Sequence, residues 1–189
     1  MDPRSYTAAD KTRDGTFVHI RAVRPDDSGR LAEIFTQLPT DTIRARWRGP
    51  ESRLTAGSMV EEIDVDRDVH VGLVATVWIE GEERVVGLAS YFIDPWSEPR
   101  RAEVAFVVLD EWQGRGIGSL LFAHLARIAL RLGIDVFYAL VPASNRHTIR
   151  VFETSGYSGE VECHGAEAWV TLDLTGKSIV TPSAVAALI

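Results

Sequence analysis

The chain has 189 residues, 46% of them hydrophobic and 25% charged, with a formal net charge of −7. That is enough chain for one buried core in an ordinary globular domain, and the negative balance speaks against a protein held to nucleic acid by phosphate contacts. No apolar run reaches the length of a bilayer span, and the opening MDPRSYTAADKTRDG lacks the apolar core of a signal peptide, so no membrane partner and a cytoplasmic location are expected.

Residues 1–15 are polar and turn-rich and read as a flexible arm. TFVHIRAV alternates as a strand does and stops at Arg24-Pro25. Asp26 or Asp27 can cap a helix through SGRLAEIFTQL, whose apolar face is marked by Leu31, Ile34, Phe35 and Leu38. After Pro39, TDTIRARW reads as a second short helix. The acidic run EEIDVDRD, 61–68, reads as a solvated loop, with attraction of a cationic substrate as its other use. VHVGLVATVWIE and RVVGLASYFID flank the polar connection Glu80-Gly81-Glu82-Glu83 and make a hairpin, and RAEVAFVVL is the next strand.

The helix that follows is the clearest element: Ile117, Leu120, Leu121, Leu125, Ile128, Ala129 and Leu132 recur at spacings of three and four. Gly133 stops it, and His124 sits at the edge of its stripe as a half-buried structural histidine. DVFYALVP reads as a strand, NRHTIRVFETS as a helix capped by Gly156, and VECHG with AEAWVTLDL as a closing strand pair. Cys163 is alone, which excludes an internal disulfide and a cysteine metal cluster and suggests a small packing residue. The segment 175–189 is read as a tail, or as a piece that docks on a partner subunit. The order of elements predicts a mixed α/β fold, with a run of antiparallel strands, a crossover through the long helix, and helices on both faces.

Three glycines, Gly114, Gly116 and Gly118, stand where that helix starts, although glycine is costly in helices. The first turn of a helix presents unpaired N–H groups and the positive end of the macrodipole, and glycines let a phosphate approach that backbone. Gln113 and Ser119 can add hydrogen bonds and Arg115 a charge. QGRGIGS lacks the lysine and Ser/Thr of a Walker loop and the full spacing of a dinucleotide fingerprint, so both of those readings are weak.

VVLDEWQGRGIGSLL resembles the acetyl-CoA signature of the GNAT acetyltransferase superfamily at Gln113, Gly116 and Gly118. NRHTIRVFETSGY resembles that family's second signature at Asn145, Gly156 and Tyr157. The resemblance covers roughly residues 16–174 and implies a twisted, mostly antiparallel sheet splayed between its fourth and fifth strands, with the pantetheine arm in the gap. It implies that the strand carrying Phe106, Val107 and Val108 meets that arm through the backbone of Phe106 and Val108, one amide polarising the thioester carbonyl. Gln113, Gly114, Arg115, Gly116, Ile117, Gly118 and Ser119 would hold the pyrophosphate, Asn145 would contact the arm, and Arg115, Arg146 or Arg150 would meet the adenosine phosphates. Acetyl-CoA is the implied co-substrate, and no metal is implied.

A neutral amine must attack the thioester, so an ammonium of pKa about 10.4 needs a base, and Glu103 stands in the cofactor strand to serve. Many relatives carry a tyrosine four residues before the Gly-aromatic pair as general acid; this chain has Phe152, with Tyr138 and Tyr157 as possible substitutes. Arg24-Pro25-Asp26, Leu38, Thr42, Arg46-Trp47 and Ala102-Glu103-Val104 resemble the bacterial Pat-type protein lysine acetyltransferases. The resemblance implies an acceptor lysine of a protein. A small amine, such as a polyamine or an antibiotic, is the alternative acceptor, and a non-catalytic acyl-CoA sensor the alternative class. A monomer or a homodimer fits either.

Overall fold

The computed structural model describes residues 2–37 and 70–176; the readings made on TDTIRARW, EEIDVDRD and the tail fall outside them. Eight described strands form one sheet: β1 (Thr7–Lys11), β2 (Phe17–Ala22), β3 (His70–Ile79), β4 (Glu82–Asp94), β5 (Arg101–Val108), β6 (Val136–Pro142), β7 (Ser158–His164) and β8 (Glu167–Asp173). Their order across the sheet is β1-β2-β3-β4-β5-β6-β8-β7. The described α-helices are α1 (Ser28–Gln37), α2 (Ile117–Arg131) and α3 (Arg146–Glu153). Each neighbouring pair is antiparallel except β5–β6, because the chain between those two strands crosses over through α2. The Glu80-Gly81 turn has positive φ at both residues, 54° and 87°, which matches the right-handed twist of the β3–β4 hairpin.

Both faces of the central strands are covered, which is why β3 and β4 read as almost continuous apolar runs. Leu31 and Ile34 of α1 pack on Val74, Val85, Leu88 and Val107 on one face. On the other face Leu121, Leu125 and Ile128 of α2 pack over Leu73, Ala89, Tyr91, Ala102, Val104 and Phe137. Removing each such leucine from water contributes about 2 kcal/mol. Gly87 of β4 lies beneath the start of α2: a Cβ there would sit 3.0 Å from Leu121 Cδ1 and 3.2 Å from Val107 O, so its absence lets the helix come that near.

A buried ion cluster fixes how α1 leaves the sheet. Arg21 of β2 is 1% exposed and Asp27, just before α1, is 0% exposed. Arg21 donates twice to Asp27, Nη1 to Oδ2 at 2.6 Å and Nη2 to Oδ1 at 2.7 Å, and its Nε donates to Glu83 of β4 at 3.1 Å. Asp27 Oδ2 also accepts the Arg24 N–H at 2.8 Å, so of the two aspartates read as caps it is Asp27 that closes the turn.

Three readings change. Residues 7–11 are not part of a loose arm: they form β1, paired with Phe17–Arg21 of β2. His124 is not half-buried but 1% exposed, because Tyr6 and Asp10 cover the side of α2 that the expected arm left open. Its Nδ1 meets the Tyr6 hydroxyl and its Nε2 lies 3.2 Å from Asp10 Oδ2. Burial pushes the His124 pKa down, against the pull of the Asp10 carboxylate. Cys163 is exposed rather than packed, since β7 is the edge strand and shows six of its seven residues to solvent.

Candidate active site

The sheet opens beside β5. β5 pairs with β6 only at Arg101↔Val136, Ala102↔Phe137 and Glu103↔Tyr138, while its pairing with β4 continues to Val108. From Val104 to Val108 no described strand lies along the β6 side. Just beyond the strand, Leu109 N–H bonds Val86 O at 3.0 Å, on the β4 side. Successive backbone groups point to opposite edges, so Phe106 and Val108 face the gap and Val107 faces β4. An extended ligand bearing amides can continue the sheet there.

The glycine loop closes the end of this gap. Gly114 and Gly116 have φ of 72° and 90°, the left-handed region that a side chain resists. Gly116 is the N-cap of α2 and brings no side chain to that end. The helix's first backbone bond runs from Leu120 N–H to Gly116 O at 3.0 Å, so the N–H groups of Ile117, Gly118 and Ser119 are the orphan donors of the first turn. Gly118 serves packing as well: its Cβ would lie 3.4 Å from a ring carbon of Phe106. Gln113 spends its side chain within the loop, donating from Nε2 to Val108 O at 3.1 Å and to Asp110 Oδ1 at 2.8 Å.

Strand edge, loop and the start of α3 enclose a cavity of about 410 Å³. It is lined by Phe106, Val107, Val108, Gln113, Gly114, Gly116, Ile117, Gly118, Ser119 and Asn145, ten of the residues singled out by sequence. Asn145 is the N-cap of α3, its Oδ1 accepting the Thr148 N–H at 3.1 Å, which fixes its amide at the cavity wall. Arg115, Phe152 and Glu103 do not line it. Arg115 donates to Asp14 Oδ2 at 3.1 Å and to Glu111 O at 3.3 Å, and its guanidinium sits 4.6 Å from the Trp112 ring centroid. Phe152 is 1% exposed and lies behind the wall, edge-on to Phe106 with centroids 5.5 Å apart. Of the arginines on α3, Arg150 lines the cavity and Arg146 does not.

Glu103 stands at the fork itself, the last residue of β5 paired to β6. It is exposed, and alternation places it on the α1 face, opposite Val104, Phe106 and α2. Tyr138, its partner across the fork, is pushed up in pKa by its burial and then by the Glu103 and Asp94 charges. The Arg101 guanidinium lies 5.1 Å from the Tyr138 ring centroid. A group seated in the gap between β5 and β6 therefore has orphan N–H donors at one end and a solvent-facing carboxylate with a phenol at the other. Sequence reading missed Arg13, Asp110, Trp112, His147, Thr148 and Val151 at the cavity wall.

The chain is similar to proteins named as acetyltransferases. Acetyltransferase PA5475 of Pseudomonas aeruginosa is 30% identical over 133 residues, 70% of this chain and 70% of that protein. Acetyltransferase Pat of Mycolicibacterium smegmatis is 29% identical over 147 residues, 77% of this chain but only 43% of that protein. The crystal structure of the GNAT domain of S. lividans PAT superposes with a TM-score of 0.71 at 30% identity, covering 88% of this chain and 96% of that domain. The sequence model described as the acetyltransferase (GNAT) family matches residues 34–157, a stretch holding the open edge of β5, the glycine loop and Asn145. The match spans more than half of the chain, and the chain belongs to the GNAT acetyltransferase family.

Proposed function

We propose that this enzyme moves the acetyl group of acetyl-CoA to an amine, and that the amine is the side chain of a protein lysine. The observation that carries the reading is the unpaired β5 edge running into the glycine loop within one cavity. Phe106 and Val108 suit the amides of the pantetheine arm, and one of their N–H groups suits the charge that develops on the thioester oxygen. The loop and the first turn of α2 suit the pyrophosphate.

On the α1 face Glu103 takes the proton of the incoming ammonium. The amine nitrogen then attacks the carbonyl carbon, the C–N bond forms, the C–S bond breaks, and the nitrogen's second proton passes through water to the departing thiolate. The thiolate leaves without a tyrosine at position 152 to protonate it. A thiol of pKa about 8.5 is a tolerable leaving group without that help. The lysine assignment rests on the Pat-type pattern of Arg24-Pro25-Asp26 and Ala102-Glu103-Val104, and on similarity to Acetyltransferase Pat.

The test is a panel of acceptors, lysine peptides beside polyamines and aminoglycosides, followed by release of free coenzyme A thiol. Turnover with lysine peptides is expected; acetylation of small amines with none of the peptides overturns the lysine assignment. The loop gives a second expectation. Alanine at Gly116 meets no neighbour within 4 Å, so its cost is backbone strain of about 1–2 kcal/mol. The free loop escapes that strain by shifting, and binding must restore it. Gly116→Ala therefore weakens acetyl-CoA by roughly tenfold in calorimetry; an unchanged affinity would show that the ligand does not use this loop.

A further inference from the structure

The tip of the β1–β2 hairpin, residues 12–16, touches the glycine loop, although it precedes the residues 34–157 that the family model matches. Arg13 N–H donates to Arg115 O at 3.1 Å, and Arg115 Nη1 donates to Asp14 Oδ2 at 3.1 Å. The tip is internally braced: Asp14 Oδ1 accepts from Thr12 Oγ1 at 2.5 Å, Thr16 N–H at 3.0 Å and Thr16 Oγ1 at 2.7 Å. Those bonds hold the Asp14 carboxyl well below the usual carboxylate range, so it stays a charged partner for Arg115. A braced tip latched at two points places Arg13 at the wall of the cavity, where no described carboxylate pairs with its guanidinium.

We infer that Arg13 is a phosphate-binding residue of the coenzyme site, and that the Asp14–Arg115 pair is the latch that positions it. The inference rests on the acetyl-CoA reading above. It accounts for two features together. Arg115 is spent on the hairpin rather than on the cavity, and the hairpin returns a different arginine in its place. A guanidinium at the wall of the cavity that the orphan N–H groups of α2 also line, with no described carboxylate paired to it, repels cations and favours a phosphate, which it can hold by two parallel bonds. The latch sits on the loop proposed for the pyrophosphate, so that group is the expected partner.

The test compares Arg13→Ala, Arg13→Lys and Asp14→Ala with the parent. Calorimetry is run with acetyl-CoA, with 3′-dephospho-acetyl-CoA and with S-acetyl-pantetheine, which has no pyrophosphate. Arg13→Ala is expected to weaken both phosphate-bearing ligands by roughly tenfold or more and to leave acetyl-pantetheine at the parent value. Arg13→Lys recovers part of the loss, and Asp14→Ala shows a smaller loss of the same pattern. Weakening confined to acetyl-CoA moves the contact to the 3′-phosphate and still supports a phosphate role. Equal weakening of all three ligands, or none, overturns the inference while the coenzyme reading stands. A parent chain that binds none of the three overturns both. Arg13 is exposed, so its two variants are expected to unfold at the parent's temperature.

Discussion

Glu103→Gln is expected to bind acetyl-CoA as tightly as the parent and to turn it over about a hundredfold more slowly. The substitution keeps the shape of the side chain and removes only its ability to take a proton, an ability that contributes typically about 10²–10⁴ in rate. Glu103 does not line the coenzyme cavity, so binding and turnover separate cleanly at this position. The residual rate carries a signature. Without a base the variant uses only acceptor that is already neutral. Its rate should therefore climb about tenfold per pH unit toward the amine's pKa near 10.4, and its deficit against the parent should shrink as the pH rises. A rate within threefold of the parent at neutral pH would remove Glu103 from the mechanism. Tyr138, its neighbour across the fork, would then be the next group to substitute.

The local parts of this site are legible in the sequence because local rules make them. Gly114 and Gly116 are required by the positive φ of the loop, and the spacing of Ile117, Leu121, Leu125 and Ile128 announces a helix whatever surrounds it. The crossover helix makes β5 and β6 readable as parallel neighbours, but their fork comes from the resemblance to the family and not from any local pattern. What failed to show depends on pairing at long range. Asp14-Gly15 is a turn dipeptide flanked by TAADK and FVHIRA, yet TAADK has only one buried residue and alternates too weakly to read as a strand. The rest follows from β1. Without that strand the sequence leaves His124 at an open edge, which Tyr6 and Asp10 in fact cover, shows nothing of the bond from Arg115 to Asp14, and gives no reason to single out Arg13. Phe152 shows a different limit. A motif position predicts where a residue falls along α3, but only packing shows that it lies behind Phe106 and not on the cavity.

Asp27→Ala is expected to cost about 3–5 kcal/mol of folding stability. The reason is the arginine left behind. Arg21 is 1% exposed and keeps its charge, its pKa raised chiefly by the Asp27 hydrogen bonds despite burial. Breaking a buried pair from one side strands that charge, which is why such deletions are so costly. Glu83, 3.1 Å from Arg21 Nε and itself partly exposed, compensates only in part. The same cluster predicts a direction with pH. Burial pushes the Asp27 carboxyl up, but the Arg21 hydrogen bonds, the Arg24 N–H and the Arg21 charge together bring it below its ordinary value. A carboxylate depressed in the folded state stabilises fully above its unfolded pKa, about 3.9, and loses that contribution as the pH falls through its folded value. Urea unfolding should therefore show the parent and Asp27→Ala far apart at pH 7 and converging in acid below pH of about 4. The double variant Arg21→Met/Asp27→Leu separates charge from packing: replacing a buried pair by apolar groups is often neutral, so it should recover most of what the single change loses. If Asp27→Ala unfolds within 1 kcal/mol of the parent at pH 7, the cluster is not what fixes α1 to the sheet.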